Sequence, residues 1–175
     1  MGRKPEIGGP VMLIKLWRFV TLLLTALSMG LSFCHLLELL PRVFYFDAQL
    51  WITITTRGLY NLFGSVGAVL EIGSILTALG LAWLIRQRRV TFRLTLIGAG
   101  FLLLALLLWI MFIAPVNAEL ANWTPTAFPA DWTRYRNQWE YTHAVNAIIK
   151  ILGFSALIFS VLVETPVTRR LPAHH

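Results

Sequence analysis

Two pairs of ionisable residues with the same spacing lie in apolar parts of this sequence. His35 and Glu38 are three positions apart near the end of one apolar stretch, and Glu140 and His143 are three positions apart at the start of another. Residues three apart are neighbours on a helix face, so each pair would present an imidazole beside a carboxylate. Because ionisable groups are costly inside a bilayer and are functional candidates there, these pairs are the first candidates for chemistry.

Metal binding is the first chemistry that this spacing predicts. Paired Glu and His side chains that project into a four-helix bundle build di-iron and di-manganese sites, and imidazole with carboxylate suits iron, manganese or zinc. The predicted ligands are His35, Glu38, Glu140 and His143. Glu71, in a third apolar stretch, is a weaker ligand candidate because Lys150 lies at a similar depth and could pair with it. Haem held by the two histidines is a further alternative. The nearby glutamates would then have no role in ligating the iron.

A network without any metal is the competing interpretation. Four arginines lie in the connections near these residues, namely Arg42, Arg57, Arg134 and Arg136. They could neutralise the carboxylates as a structural ion-pair layer, or the whole set could relay protons. The sequence leaves the metal or redox site, the network and the haem site open.

An enzyme built on these residues would use them to hold a metal that activates oxygen, or as bases that deprotonate a phenol. The predicted catalytic residues are His35, Glu38, Glu71, Glu140 and His143. Arg134 or Arg136 would stabilise the resulting oxyanion. Trp139 is expected to anchor the chain at the membrane surface and Asn117 to cap a helix, with substrate contact as the alternative for both.

Four apolar stretches must position these side chains. The 175 residues are 57% hydrophobic and 13% charged, a composition typical of an integral membrane protein. A helix of about 20 residues crosses the hydrocarbon core. Spans are predicted at about 16–40, 65–85, 94–116 and 141–163, in one all-α four-helix transmembrane domain that fills 1–175, with loose tails at 1–10 and 166–175. This places the five ionisable candidates in one layer roughly 10 to 15 Å thick.

The basic residues predict how the spans are oriented. Ten of the 15 Lys and Arg residues lie before or at the start of the first span, in the second connection or after the fourth span, which share one side if the chain crosses four times. This is the positive-inside pattern, so both termini are expected in the cytoplasm of a multi-pass inner-membrane protein. The net charge of +7 is therefore a topology signal, and no nucleic-acid-binding pattern accompanies it. The oligomeric state is not predicted.

Local signals refine the connections. Pro41 is expected to end the first span, and Asp47 to cap a short helix on the outer membrane surface. Small and polar residues at three- and four-residue steps in the second span form a face suited to close helix contact, namely Gly64, Gly67, Glu71, Ser74 and Ala78. The third span is expected to be scaffold. Four tryptophans suit an outer aromatic belt, namely Trp51, Trp123, Trp132 and Trp139.

Four segments in this order resemble the anthrone oxygenase-like family of small membrane proteins. They are "SFCHLLELLPR", "GSVGAVLEIGSIL", "APVNAELANW" and "PADWTRYRNQWEYTHA", within residues 32–160. Most members of that family are described only as a domain of unknown function. The resemblance implies a four-helix transmembrane fold and, from the characterised members, oxidation of a polycyclic phenolic anthrone by oxygen. It implies no agreed catalytic residues, and the predicted partners are the bilayer and a lipophilic aromatic or quinone-like molecule.

Overall fold

The computed structural model describes residues 9–57 and 59–165. Six α-helices make up most of this part of the chain: α1 (Gly9–Phe44), α2 (Ala48–Thr56), α3 (Leu59–Leu84), α4 (Arg89–Leu108), α5 (Ala114–Leu120) and α6 (Trp132–Leu162). Between residues 9 and 165, Gly58 apart, the only β-type pairing is an isolated bridge from Thr124 to Ala127. Of the predicted loose tails, Gly9 and Pro10 already belong to α1, and 1–8 and 166–175 lie outside the described residues.

Four helical segments are long and apolar enough to cross a membrane, as predicted. They are Val11–Phe44, Leu62–Leu84, Arg89–Leu120 and Trp132–Leu162. The third of these joins α4 to α5 through a π-helical turn, Trp109–Ile113. All but the second are clearly longer than the predicted spans, because the helices continue beyond the apolar core. The helices pack as a ring in which α1 and α4 each contact both α3 and α6.

Pro41 does not end the first helix, so this prediction was wrong. Helix α1 continues through Pro41 to Phe44, and the Tyr45 amide donates to the Pro41 carbonyl at 2.9 Å. Proline removes only its own N–H from the ladder, and Pro41 lies on the exposed side of α1. The next residue, Arg42, is held inside the bundle by side-chain bonds, which fix the last turn of α1.

The π-helical turn lies just before Pro115. Proline has no N–H to donate and crowds the preceding turn, and a π-turn is one way in which a helix accommodates such a break. The Gln138 side chain of α6 donates to the Phe112 carbonyl at 2.9 Å. The distortion in the third span is therefore stabilised by a contact from the fourth.

Polar contacts identify the two ends of the bundle. At one end, here called the α2 end, Arg42 of α1 contacts Glu140 near the start of α6. At the other, here called the turn end, Arg18 of α1 donates to Glu164, which follows α6, at 2.5 Å. Thr91, near the start of α4, also donates to Glu164, at 2.7 Å. Helices α1 and α6 are therefore antiparallel, and the α3–α4 connection lies beside the chain's last described residues.

Small side chains allow α4 and α6 to approach closely. A Cβ atom added at Gly98 would lie 2.7 Å from Leu157 and 3.0 Å from the Gly153 carbonyl oxygen. The predicted small face of α3 is buried in its second part, at Glu71, Ser74 and Ala78, whereas Gly64 is exposed. The buried face of α1 is polar along most of its length, at Thr21, Thr25, Ser28, Ser32, His35 and Arg42. The apolar side chains of α1, by contrast, are largely exposed, as expected where lipid surrounds the bundle.

Candidate functional site

The carboxylate of Glu140 lies in a closed polar cluster at the α2 end. Its Oε1 accepts hydrogen bonds from Arg42 Nε and Trp51 Nε1, both at 2.6 Å. Arg42 also donates to Thr55 Oγ1 at 2.7 Å. Arg42, Glu140 and Trp51 are 1% exposed or less. These four residues, which we name the Arg42 cluster, tie α1, α2 and α6 together.

Glu38 lies at the edge of this cluster rather than in a shared centre with Glu140. Its Oε2 is 3.7 Å from Arg42 NH1, and its side chain is 49% exposed. The two glutamates therefore contact the same arginine, Glu140 from the buried interior and Glu38 from the exposed surface. Of the four arginines that could neutralise the carboxylates, Arg42 contacts both Glu38 and Glu140, and Glu140 is its closer partner.

Glu71 pairs with Lys150, as the sequence suggested. The Lys150 ammonium contacts Glu71 Oε2, which also accepts a hydrogen bond from Ser28 Oγ at 2.8 Å. Lys150 in turn lies 3.2 Å from Ser28 Oγ. All three residues are buried, and they join α1, α3 and α6 near the middle of the bundle.

His35 and His143 lie face to face between α1 and α6. Their ring centroids are 4.1 Å apart with an interplanar angle of 27°. The Trp139 indole is 4.2 Å from the His143 ring and 5.1 Å from the His35 ring. Both histidines and Trp139 are less than 10% exposed. The argument from helix direction and depth is therefore confirmed for the two histidines.

Asn117 fixes the orientation of the indole. Trp139 Nε1 donates to Asn117 Oδ1 at 2.8 Å, so α5 contributes to the site. Trp139 and Trp51 are buried inside the protein, and the prediction that both belong to an outer aromatic belt was wrong. Tryptophan combines a large apolar ring with one N–H donor, which suits a buried site with an acceptor as well as a membrane surface.

A cavity of about 590 Å³ lies beside the histidine pair. Its polar lining combines both rings with the glutamate–lysine pair, and the full polar set is Ser28, Ser32, His35, Thr55, Thr56, Glu71, Asn117, Asn146, His143 and Lys150. Much of the remainder is apolar and aromatic, including Phe63, Trp109 and Trp139. A mainly apolar cavity with a few converging polar groups is typical of a small-molecule site.

Exposed residues of the cavity lining lie on α3 and on the facing third span, from which we infer an opening between these two elements. Gly64, Ala68 and Ile72 line it from α3, and Ile110 lines it from the facing π-helical turn. All four residues are nevertheless exposed on the bundle surface. In a membrane this opening would face lipid. The third span is therefore not only scaffold, because its middle part forms one wall of the site.

The predicted metal ligands do not come together as one set. In the described part of the chain, no three His, Cys, Asp or Glu side chains are placed to hold a metal ion. The physical reason is that Glu140 is bound by Arg42 and Trp51, while Glu38 lies on the outside. The structure therefore does not fit the predicted four-ligand centre for iron, manganese or zinc.

Stacking of the histidines also disagrees with the haem alternative. Two axial ligands reach iron from opposite sides through bonds of about 2 Å, so their rings must lie end to end with the haem plane between them. The rings of His35 and His143 instead lie side by side, with centroids 4.1 Å apart. No haem plane fits between rings in this arrangement.

Arg134 and Arg136 do not reach the cavity. Arg136 lies over the Trp132 ring at 4.9 Å, and Arg134 lies 6.0 Å from the Tyr135 ring centroid. The cation that lines the cavity is Lys150, which the sequence suggested only as a partner of Glu71. Asn146 was missed, although its position between His143 and Lys150, at steps of three and four, places it on the same face of α6.

Comparison with known proteins adds no further assignment. The chain matches no protein-family model, no curated protein and no solved structure. The fold and site define a class, a helical bundle with four helices able to span a membrane and a cavity beside a buried histidine pair. The resemblance to the anthrone oxygenase-like family stays a prediction.

Proposed function

We propose that the protein is a multi-pass inner-membrane protein whose turn end faces the cytoplasm. Support comes from the basic residues: Arg86, Arg88, Arg89 and Arg93 cluster at the α3–α4 connection, and Lys15 and Arg18 lie at the same end. Positive charge next to membrane spans favours the cytoplasmic side. The histidine cavity and α2 would then lie toward the outer face, with α2 near the membrane surface.

We further propose that the cavity binds a lipophilic aromatic phenol or quinol and that the protein oxidises it. The observation that carries this proposal is the stacked histidine pair beside an apolar cavity that opens where lipid would lie. A ligand dissolved in the bilayer could enter between α3 and the Arg89–Leu120 helix without crossing water. The aromatic lining from Phe63, Trp109 and Trp139 suits a planar ring.

A histidine would act as the base in this reaction. A neutral imidazole has one ring nitrogen able to accept a proton, and removal of a phenolic proton activates an electron-rich ring toward oxidation. Lys150, the cation that lines the same cavity, would bind a second polar group of the ring farther from the histidines, in place of the arginines first expected. Dioxygen, which the family resemblance implies, is the proposed oxidant. A hydroquinone would lose two electrons and two protons to it and give a quinone and hydrogen peroxide, whereas the CH2 group of an anthrone would become a carbonyl with one oxygen atom, the other leaving as water. No step is assigned to a metal, because the residues do not fit one.

Oxygen consumption by purified protein in lipid nanodiscs tests the proposal. Anthrones and hydroquinones should give substrate-dependent oxygen uptake, which His143→Ala and His35→Ala should lower by at least about a hundredfold, the usual contribution of a general base. Cys34→Ala is a matched control, since Cys34 is exposed on the α1 surface. Uptake that is absent in the wild type, or equal in wild type and both histidine variants, would refute an oxidase role for this pair.

A non-catalytic membrane subunit or carrier is the second candidate. It is favoured by the state of the site glutamates, which all contact a cation: Glu38 and Glu140 contact Arg42, and Glu71 contacts Lys150. This pairing is expected of a structural network. In that case the histidine variants would change stability and leave ligand-dependent oxygen uptake unaffected.

A further inference from the structure

The part of the cavity farthest from the α2 end is its most polar region. We name it the cavity floor and define it by Ser28, Ser32, Glu71, Asn146 and Lys150, which all line the cavity and are all buried. Lys150 follows His143 by two helical turns, about 10 Å along α6. A ligand whose ring lies beside the histidines could therefore place a polar group against this floor.

Two oxygen atoms of the floor accept no hydrogen bond from the described residues. They are Glu71 Oε1 and Asn146 Oδ1, both buried. A carboxylate oxygen can only accept hydrogen bonds, and a buried acceptor without a donor is destabilising. A ligand group placed beside Glu71 Oε1 would therefore satisfy it by donating a hydrogen bond.

The floor also offers a donor. An ammonium group has three N–H bonds, and Lys150 directs its contacts in the described chain to Glu71 Oε2 and Ser28 Oγ. The third N–H has no assigned acceptor among these residues. The floor thus combines one donor with acceptors, which matches a hydroxyl group because a hydroxyl both donates and accepts.

We propose that the cavity floor selects ligands by a hydroxyl group and binds the hydroxyl form of a ligand more tightly than its carbonyl or ether form. This inference rests on the proposed function, because it assumes that the cavity binds an aromatic molecule. Oxidation of a hydroxyl to a carbonyl removes the hydrogen that Glu71 Oε1 or Asn146 Oδ1 would accept. The site would therefore take up the reduced molecule and release the oxidised product into the bilayer.

Equilibrium binding of two matched probes to the full-length protein in nanodiscs tests this preference. The probes are 2-naphthol and 2-methoxynaphthalene, which share the ring system and differ in whether the oxygen carries a hydrogen. Empty nanodiscs correct for partition into lipid. We expect 2-naphthol to bind at least about tenfold more tightly, because the ether leaves buried acceptors unpaired.

Variants of the floor identify the source of the preference. Asn146→Leu should reduce the ratio of the two affinities, and Glu71→Leu combined with Lys150→Met should bring it close to one. The double variant removes both charges together, since loss of one alone would leave an unpaired buried charge that could prevent folding. Cys34→Ala should leave the ratio unchanged, because Cys34 is exposed on α1 and lies outside the cavity lining.

The outcomes separate the two proposals. Equal affinities, or tighter binding of the ether, would overturn the hydroxyl preference while leaving the cavity as an aromatic binding site. A preference that persists in the double variant and in Asn146→Leu would also overturn the assignment to the floor. If neither probe binds above the empty nanodiscs, the preference fails together with the proposed ligand class.

Discussion

Removing the carboxylate of Glu140 should strongly destabilise the α2 end of the bundle. Glu140 Oε1 holds Arg42 and Trp51, each through a hydrogen bond of 2.6 Å, and Oε2 accepts none from the described residues. Glu140→Leu would therefore remove the closest carboxylate partner of the buried Arg42 guanidinium and leave the more distant, half-exposed Glu38 beside it. Breaking one side of a buried ion pair costs about 3–5 kcal/mol, and we expect a loss of this size.

Two further variants divide this cost into charge and hydrogen bonding. Glu140→Gln keeps an oxygen that can accept from Trp51 but carries no charge, so the expected loss is about 1–3 kcal/mol. Arg42→Met with Glu140→Leu removes both charges and should be less destabilised than Glu140→Leu alone. Well-packed apolar replacements of a buried pair are often neutral or stabilising. The unpaired indole N–H of Trp51 should keep the double variant below wild type.

Unfolding in mixed detergent micelles, followed by circular dichroism, measures these differences. Glu119→Leu is the matched control, because Glu119 is exposed on α5 and should change the free energy of unfolding by no more than about 0.5 kcal/mol. The reasoning is refuted if Glu140→Leu costs less than about 1 kcal/mol. Arg42→Met alone completes the cycle, and the reasoning is also refuted if its loss and that of Glu140→Leu simply add in the double variant, since neighbours in one network must show coupling.

Two other predictions concern helix packing and pH. Gly98→Leu should cost about 1–3 kcal/mol by overpacking, because a Cβ atom at this position lies 2.7 Å from Leu157. A Cβ atom at Gly100 has nothing within 4 Å. Gly100→Leu should therefore be close to neutral in the same unfolding assay. Burial raises the pKa of Glu164, but hydrogen bonds led by Arg18 outweigh this, so the pKa is lowered from its ordinary 4.5. A carboxylate with a lowered pKa stabilises the fold above its unfolded pKa and loses that effect as pH falls through the folded value. Unfolding measured below pH 4.5 should therefore show a falling stability that Glu164→Gln flattens, and an unchanged profile would contradict the assignment.

Much of the fold could be predicted from hydropathy because a span requires a long apolar helix. The four spans and the short α2 helix were predicted, and Asp47 caps α2 by accepting from the Leu50 amide at 2.8 Å. Helix ends were less predictable. Pro41 disfavours helix continuation locally, but the buried bonds of Arg42 determine where α1 ends, and those bonds depend on residues nearly 100 positions away.

The position of the site residues along the bundle axis could be predicted, but their arrangement around that axis could not. Chain direction alone places His35 and His143 at one level, and they meet. It does not say which arginine faces Glu140, because the order of helices around the bundle cannot be read from a single sequence. That order gives Glu140 to Arg42, while Arg134 and Arg136 contact aromatic rings of their own helix instead of the cavity. The five residues predicted to form one site therefore lie at two separate places, the Arg42 cluster and the cavity beside the histidine pair.

The polar face of α1 determines how this helix can align with α6. Apolar helices in lipid can slide past one another with little change in contact energy, since one leucine resembles the next. Here Arg18 meets Glu164 at one end, Arg42 meets Glu140 at the other, and the histidines stack between them. Because the helices are antiparallel, the contacting residues follow one another along α1 in the opposite order to their partners along α6, at similar separations. All these contacts therefore form in the same alignment of the two helices. A slip of one turn would break them together, and the pair has a single register from end to end.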